Sequence, residues 1–239
     1  MTNFNASTHK YKFLRDGNIK LGETMATWST LMGDEEIDIP ALGRKVKGTC
    51  QNCSSCKHDC YVAKSYRRYP SVPYGHARNT LGLRLAEDKV FADLDKQLSR
   101  ARRPIRIVRL NQSGELESEE QFGRWCRLAA NHPNTKFYIY TKMFDYVIPG
   151  LLAGKVPSNF IVLFSVWHDK GAAEFEMVKH IRNVKAFVYD DGKQLAETPT
   201  VYCEAYDAKG HLDHNHSCET CGRCFVPVES WKIVGCHAH

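Results

Sequence analysis

The chain has 239 residues, 43% of them hydrophobic and 11% aromatic, which is enough for a sizeable core in one large domain or two small ones. Its formal net charge of +6 is mild, so nucleic-acid binding is permitted but not indicated. No run approaches the about 20 apolar residues of a membrane span, and the N-terminus lacks the basic and apolar segments of a secretory signal. We therefore expect a cytoplasmic protein with no membrane partner.

The first part of the chain is predicted to be an irregular segment that leads to one long helix. Residues 1–49 are interpreted as irregular, with turn formers at Asp16-Gly17-Asn18 and Met32-Gly33-Asp34. Apolar residues then recur at the spacing of one helix face, which predicts a helix over residues 75–101, and Pro104 lies just beyond its end. The apolar positions of that face are Leu81, Leu85, Val90, Leu94 and Leu98.

Strands and helices are predicted to alternate from residue 105 onward. The predicted strands are residues 105–110, 137–141, 160–167, 184–189 and 200–206, and the predicted helices are residues 118–131, 144–153 and 172–181. Ser118 and Gln121 have capping-box spacing at the start of the first of these helices.

This alternation predicts an α/β fold with a parallel sheet and right-handed crossovers. Four or five strand–helix units are too few for a closed eight-stranded barrel. We therefore expect a partial or open TIM-like barrel, with an open doubly wound sheet as the alternative. No composition shift marks a domain boundary, so residues 1–239 are predicted to form a single domain with cysteine-bearing segments at both ends.

Ten cysteines indicate the chemistry most strongly, and seven of them fall in two tight groups. The first cysteine group is Cys50, Cys53, Cys56 and Cys60, and the second cysteine group is Cys218, Cys221 and Cys224. The first has the C-x2-C-x2-C-x3-C spacing of bacterial ferredoxins, although Tyr61 stands where a proline usually follows. Cys203 and Cys236 flank the second group, whereas Cys126 is interpreted as a small buried hydrophobe in a helix.

The two groups predict a 4Fe–4S cluster, and one cluster is favoured over two. Four thiolates drawn from both groups could hold a single cluster, or each group could serve its own metal. Zinc is the alternative, because C-x2-C pairs are also zinc-ribbon spacing, but three-cysteine runs exceed what one tetrahedral zinc uses. Disulfides are disfavoured in a reducing cytosol.

A radical enzyme is a further alternative, with weaker support. The usual S-adenosylmethionine radical signature is C-x3-C-x2-C, whereas Cys53, Cys56 and Cys60 have the reverse order. A further cysteine thiolate is also available to bind the iron that such enzymes leave free for the cofactor.

Polar residues gather where the predicted strands end, which is where parallel α/β folds place their sites. The loop after the strand 105–110 contains Arg109, Asn111, Ser113, Glu115 and Glu117, and the later strands end in Tyr140-Thr141-Lys142 and in residues 165–168. The candidate catalytic residues are Arg109, Asn111, Glu115 and Lys142. Ordinary polar strand ends are an equally weighted alternative.

Two other polar segments are interpreted as surface or terminal segments and not as functional sites. The segment from Lys64 to Tyr69 mixes cations with aromatics and could bind phosphates, stack bases or donate to cluster sulfurs, but a solvated surface segment is favoured. Five histidines lie near the second cysteine group and Cys236: His211, His214, His216, His237 and His239. Histidines can replace cysteines as metal ligands, but a polar loop and a chain terminus are the favoured interpretation of these residues.

Several short motifs, in a shared order, resemble the phage family called gene product 88. They are 18–22, Thr27-Trp28-Ser29, 60–64, 66–70, Asn79, 108–109, 113–116, 138–141 and 221–225. The resemblance covers most of the chain. It implies a phage-encoded protein in the cytoplasm of the infected bacterial host, an iron–sulfur cluster and a kinship to radical-enzyme barrels, but no settled reaction.

Three functions follow as hypotheses. The first is an iron–sulfur protein of electron transfer or redox sensing. The second is a radical-type iron–sulfur enzyme with its site at the strand carboxyl ends. The third is a zinc-stabilised nucleic-acid-binding protein.

Overall fold

A computed structural model describes residues 12–16, 21–51, 53, 55–57, 60–167, 170–193, 195–207, 209, 211, 213 and 215–237. The strands are β1 Arg15–Asp16, β2 Met25–Thr27, β3 Glu36–Ile39, β4 Arg44–Lys47, β5 Ile107–Leu110, β6 Lys136–Thr141, β7 Phe160–Val166, β8 Val184–Asp190, β9 Val201–Tyr202 and β10 Ile233–His237. The α-helices are α1 Tyr61–Arg68, α2 Ser71–Ser99, α3 Glu119–Asn131, α4 Phe144–Leu152, α5 Ala172–Val178 and α6 Cys218–Cys221.

Eight of the strands form one mostly parallel sheet in the order β1-β2-β5-β6-β7-β8-β10-β9. Only β1 runs antiparallel to its neighbour among these described strands. The predicted parallel α/β sheet is therefore confirmed. Among the described strands β1 and β9 each have one neighbour, so no closed barrel forms, and a partial barrel stays a prediction.

The interpretation of residues 1–49 as irregular is wrong. Strand β2 joins the main sheet beside β5, and β3 and β4 pair as a separate antiparallel hairpin. With three residues, β2 is too short to show an alternating pattern, so pairing to β5 decides its structure. Of the two predicted turns, the one at Asp16-Gly17-Asn18 falls mostly on residues outside the described part of the chain.

The C-terminal end of the sheet also differs from expectation. The predicted strand 200–206 shortens to the two residues of β9, and the unpredicted β10 lies between β8 and β9. Gly235 allows this close approach, since a Cβ there would lie 2.7 Å from the Pro199 ring and 2.9 Å from Tyr202. Such a strand interrupted by glycine has little local propensity of its own.

Helix α2 confirms the long predicted helix but is interrupted at Ala86, whose φ of −155° and ψ of 47° are not helical. Leu81, Val90 and Leu94 are buried as the periodicity predicts. Leu85, immediately before the interruption, is 59% exposed, so this position of the predicted apolar face is not buried. The predicted cap of α3 is confirmed, since Ser118 Oγ accepts from the Gln121 N–H at 3.1 Å.

The two faces of the sheet have different coverings. On the helix face, strand residues such as Val108, Phe137 and Val162 pack against apolar residues of α2, α3, α4 and α5. The opposite face, here called the back face, presents Ile107, Arg109, Tyr138, Tyr140, Ile161, Leu163, Lys185 and Phe187. A C-terminal segment that includes Cys218, Cys224 and Phe225 covers the back face. No helix in the described part of the chain is long and apolar enough to cross a membrane.

Candidate functional site

The first cysteine group is folded against a single loop, residues 32–35. Cys50 donates its main-chain N–H to the Gly33 carbonyl at 2.9 Å, and the Cys60 Sγ lies 3.9 Å from the Met32 Sδ. Between them, the Lys57 ammonium contacts Glu35 at 2.9 Å and Asp34 at 3.4 Å. Contacts from Cys50, Lys57 and Cys60 therefore hold the start, middle and end of the group to one loop.

The thiols of this group also interact with one another. Cys53 forms a side-chain hydrogen bond with Cys56 and interacts electrostatically with Cys60, and Cys50 interacts with Cys53. Burial, together with the Cys56 thiol, raises the pKa of Cys53 to about 11. Burial and the Glu115 carboxylate raise the pKa of Cys50 above its ordinary value, although the Gly33 N–H and Lys142 act the other way. With raised pKa values, Cys50 and Cys53 keep their protons at neutral pH, so a metal must displace those protons.

The carboxyl edge of the sheet, where the parallel strands end, adjoins Cys50. The Glu115 carboxylate accepts from Thr141 Oγ1 and from the Lys142 N–H, each at 2.8 Å, and from Asn111 Nδ2 at 3.4 Å. Thr49 Oγ1 accepts the Glu115 N–H at 2.8 Å, which ties this carboxylate to the residue before Cys50. The structure thus brings Asn111, Glu115 and Lys142 together as predicted.

Glu115 is only 9% exposed, and burial raises its pKa against the opposing effects of the Lys142 ammonium and the Thr141 hydroxyl. Arg109 does not join this edge. Its side chain lies on the back face, where the guanidinium is 4.9 Å from the centre of the Tyr140 ring. The four predicted candidates are therefore divided between two places.

The second cysteine group forms a compact turn on the back face. Helix α6 begins after Ser217, whose hydroxyl accepts the Thr220 N–H in a capping box, and it ends at Gly222 with a φ of 71°. Cys218 and Cys221 occupy the two ends of this single helical turn, and the left-handed Gly222 reverses the chain toward Cys224. The sequence C-x2-C-G-x-C dictates this local fold.

Cys203, which the sequence shows only as a flanking residue, joins this turn. The Arg223 guanidinium donates to the Tyr202 carbonyl and pairs with Glu204 at 2.6 Å, which holds both neighbours of Cys203. The Glu204 N–H donates to the Cys221 thiol, and Cys224 interacts electrostatically with Cys203, Cys218 and Cys221. We call the four residues Cys203, Cys218, Cys221 and Cys224 the C-terminal thiol site.

Buried polar groups of the sheet surround the C-terminal thiol site. Tyr140 forms a side-chain hydrogen bond with the Cys224 thiol, whose pKa burial raises to about 12. Lys185 is 1% exposed and donates to the Arg223 carbonyl at 2.7 Å and the Trp231 carbonyl at 3.1 Å. Burial lowers the pKa of Lys185 to about 8, although the Cys224 thiol acts to raise it.

Sequence reasoning missed Lys185 because a lysine within a strand is ordinarily read as solvent-facing. It could have found Cys203, because a C-x2-C-x2-C run supplies only three of the four ligands that a zinc ion or a cluster takes, so a fourth must come from elsewhere in the chain.

The donor set of both groups suits metals that bind thiolates. All ten cysteines lie in the described part of the chain, and each is a thiol rather than half of a disulfide. Among the described residues, no three Cys, His, Asp or Glu side chains converge closely enough to hold one metal ion. Around one tetrahedral zinc, sulfurs lie only about 3.8 Å apart, as bond lengths of about 2.3 Å require. A cubane spreads its four thiolates more widely, because each binds a different iron.

The remaining predicted segments have structural partners. His211 contacts Asp207 at 3.2 Å, His216 contacts Asp213 at 2.8 Å, and His237 stacks on the Tyr202 ring. His214 and His239 lie outside the described residues. The segment from Lys64 to Tyr69 is largely helix α1, with its basic side chains exposed and Tyr66 packed beneath them. Cys126 is 6% exposed, which confirms it as a buried hydrophobe.

A cleft of about 440 Å³ lies beside the first cysteine group. Helix α1, which starts directly after Cys60, supplies Tyr61 and Ser65, helix α2 supplies His76 and Asn79, and the loop after β5 supplies Gln112. Ligand pockets commonly have volumes of about 300–1,000 Å³, so this cleft is large enough for a small molecule.

Comparison with known proteins gives one match. The family model described as "Gene product 88" matches residues 8–227, which is most of the chain and includes both cysteine groups. No curated protein and no solved structure matches.

Proposed function

We propose that this chain, which belongs to the gene product 88 family, is a phage-encoded protein of the host cytoplasm that binds a 4Fe–4S cluster and acts in electron transfer or redox sensing. The cluster's ligands would be Cys50, Cys53, Cys56 and Cys60. The observation that carries the proposal is the folding of this ferredoxin-spaced group against the single loop 32–35.

The spacing of the group supports a cluster over a lone zinc ion, because its cysteine run is that of bacterial ferredoxins and exceeds what one tetrahedral zinc uses. Cys50 and Cys60 are each fixed to the loop independently of any metal.

A bound cluster would supply one-electron redox chemistry, and the residues around it would set its potential. The Gly33 N–H donates to Cys50, and hydrogen bonds to ligand sulfurs are a main determinant of cluster potential. The charges of Glu115 and Lys142 both act on Cys50 and oppose each other, so replacing either one changes the net charge that the cluster experiences.

The test is iron, sulfide and zinc analysis of anaerobically purified protein, together with Mössbauer and EPR spectroscopy. The wild type should be brown, and a Cys53→Ser/Cys56→Ser variant should lose about four irons per chain. Cys126→Ala is the matched control, since this thiol is buried in α3 away from both groups, and it should leave the iron content unchanged. A colourless wild type with stoichiometric zinc, or full iron retention by the double variant, would contradict the proposal.

The cleft beside α1 favours a second candidate, a radical-type iron–sulfur enzyme. It lies next to the helix that Cys60 begins, at the strand carboxyl ends, and could admit a small substrate or cofactor. S-adenosylmethionine would then change the EPR spectrum of the reduced cluster and be cleaved. An unchanged spectrum, with four protein ligands on the cluster, would exclude this candidate in favour of electron transfer.

A zinc-stabilised nucleic-acid-binding protein remains the third hypothesis. It predicts stoichiometric zinc and salt-dependent binding to DNA or RNA, both of which can be measured on the same preparation.

A further inference from the structure

We infer a second iron–sulfur centre in this chain, separate from the first and held by Cys203, Cys218, Cys221 and Cys224. This C-terminal thiol site uses none of the cysteines of the first proposed centre. It therefore goes beyond the proposed function and stands or falls independently of it.

The first step is that the fold brings the fourth thiol to the other three. Cys203 is 15 residues from Cys218 in sequence. Arg223 closes this distance, because its guanidinium binds both the Tyr202 carbonyl and the Glu204 carboxylate. Cys203 itself donates its N–H to the Gly235 carbonyl at 2.7 Å, so strand β10 fixes the residue from the other side.

The second step is that hydrogen-bond donors are already directed at the sulfurs. The Cys221 thiol accepts from the N–H groups of Arg223 and Glu204, and Tyr140 hydrogen-bonds the Cys224 thiol. Donors of this kind stabilise the thiolate over the thiol and surround the sulfurs of metal–thiolate sites.

The third step concerns charge. Four thiolates around a cluster leave a net negative centre, and burying that charge requires nearby cations. Lys185 is buried and interacts with both Cys224 and Cys221. The Arg109 guanidinium interacts with Cys218, and its buried Nε has no hydrogen-bond partner among the described residues. The back face thus already holds two cations beside the thiols.

The fourth step selects the metal. Cys218, Cys221 and Cys224 repeat the C-x2-C-x2-C run of ferredoxins, with a fourth cysteine distant in sequence. Aromatic rings and apolar side chains of the back face enclose the run, including Phe187 and Phe225. These features favour a cluster over zinc.

The experiment compares iron and sulfide per chain in five anaerobically purified full-length proteins. We expect about eight irons in the wild type, about four in Cys221→Ser/Cys224→Ser, about four in Cys53→Ser/Cys56→Ser and the full content in Cys236→Ser and in Cys126→Ala. Cys236 lies in β10 next to the residue that binds Cys203, so its variant shows whether a serine in that strand alone affects the iron content, and Cys126→Ala in α3 is the control away from both sites.

Each other outcome is decisive. If both double variants lose all iron, one cluster shared between the groups replaces our inference. If the Cys221/Cys224 variant keeps the wild-type iron, or the site holds zinc, the second centre is wrong while the first stands. If only the Cys53/Cys56 variant keeps the wild-type iron, the second centre stands and the proposed first centre fails.

A second measurement avoids variants that fail to fold. Iodoacetamide alkylation of the anaerobic wild type, read by mass spectrometry, should spare Cys203 together with Cys218, Cys221 and Cys224. All four should become reactive together when a chelator removes the iron. Alkylation of Cys203 in the iron-loaded protein would overturn its assignment as the fourth ligand.

Discussion

His76 is expected to make the fold sensitive to mild acid. Its Nδ1 lies 2.9 Å from the Tyr66 hydroxyl, which also accepts the Met32 N–H at 3.1 Å. Burial raises the pKa of Tyr66 to about 12, so the phenol keeps its proton and donates it to an unprotonated His76. Burial and the nearby Arg15 guanidinium lower the pKa of His76 to about 4.

The magnitude follows from proton linkage. Between pH 6.5 and pH 4 the unfolded chain binds a proton that folded His76 does not, so the stabilisation is complete above pH 6.5 and is lost as the pH falls toward 4. With an unfolded pKa of 6.5 and a folded pKa of about 4, the free energy of unfolding should fall by about 2 kcal/mol between pH 8 and pH 5.

The assay is anaerobic urea unfolding of the wild type and His76→Gln, followed by tryptophan fluorescence at several pH values. Glutamine can still accept from the Tyr66 hydroxyl but does not titrate, so the difference between the two proteins isolates His76. The wild type should lose about 2 kcal/mol more than the variant between pH 8 and pH 5. Parallel losses in the two proteins would refute the reasoning.

Substitutions at four further positions test the packing and capping of the fold. Asn159→Leu should cost about 1–3 kcal/mol in thermal or urea unfolding, because Asn159 Nδ2 donates to three main-chain carbonyls at 2.8–3.1 Å; an unchanged midpoint would show that those carbonyls find other donors. Gly48→Ala should lower the free energy of unfolding by at least about 2 kcal/mol, since the added Cβ would overlap two main-chain oxygens. Gly75→Ala in the open face of α2 should instead raise it by about 1 kcal/mol. Equal effects of the two substitutions would contradict this reasoning. Ser118→Ala should cost about 1 kcal/mol by removing the cap of α3, and Ser118→Asp should restore it.

Sequence periodicity predicted the central part of the fold because β5 to β8 and α2 to α5 carry their own local patterns. Strand β7 shows this most clearly, since all seven of its residues are buried and its sequence is almost continuously apolar. Strand β2 has only three residues, so no periodicity could identify it, and pairing with β5 alone defines it. Strand β9 lies within the predicted strand 200–206 but is limited to the two residues that pair with β10.

The candidate site was predictable in its parts but not in its arrangement. Glu115 and Lys142 met at the carboxyl edge because consecutive parallel strands end there. Side chains along β5 alternate between the two faces of the sheet, and this alternation places Arg109 on the back face instead. The role of Cys203 depends on Arg223, a contact between segments 20 residues apart that spacing alone does not specify.

The position of β10 between β8 and β9 has a consequence for how the protein is made. Strand β9 pairs only with β10 among the described strands, and Cys203 is fixed to Gly235 of that strand. During synthesis the ribosome therefore delivers all four C-terminal thiols, and all four of the first cysteine group, before the strand that positions Cys203 exists. If the two proposed centres form, the first could be loaded on the nascent chain, whereas the second would have to wait for residues 233–237.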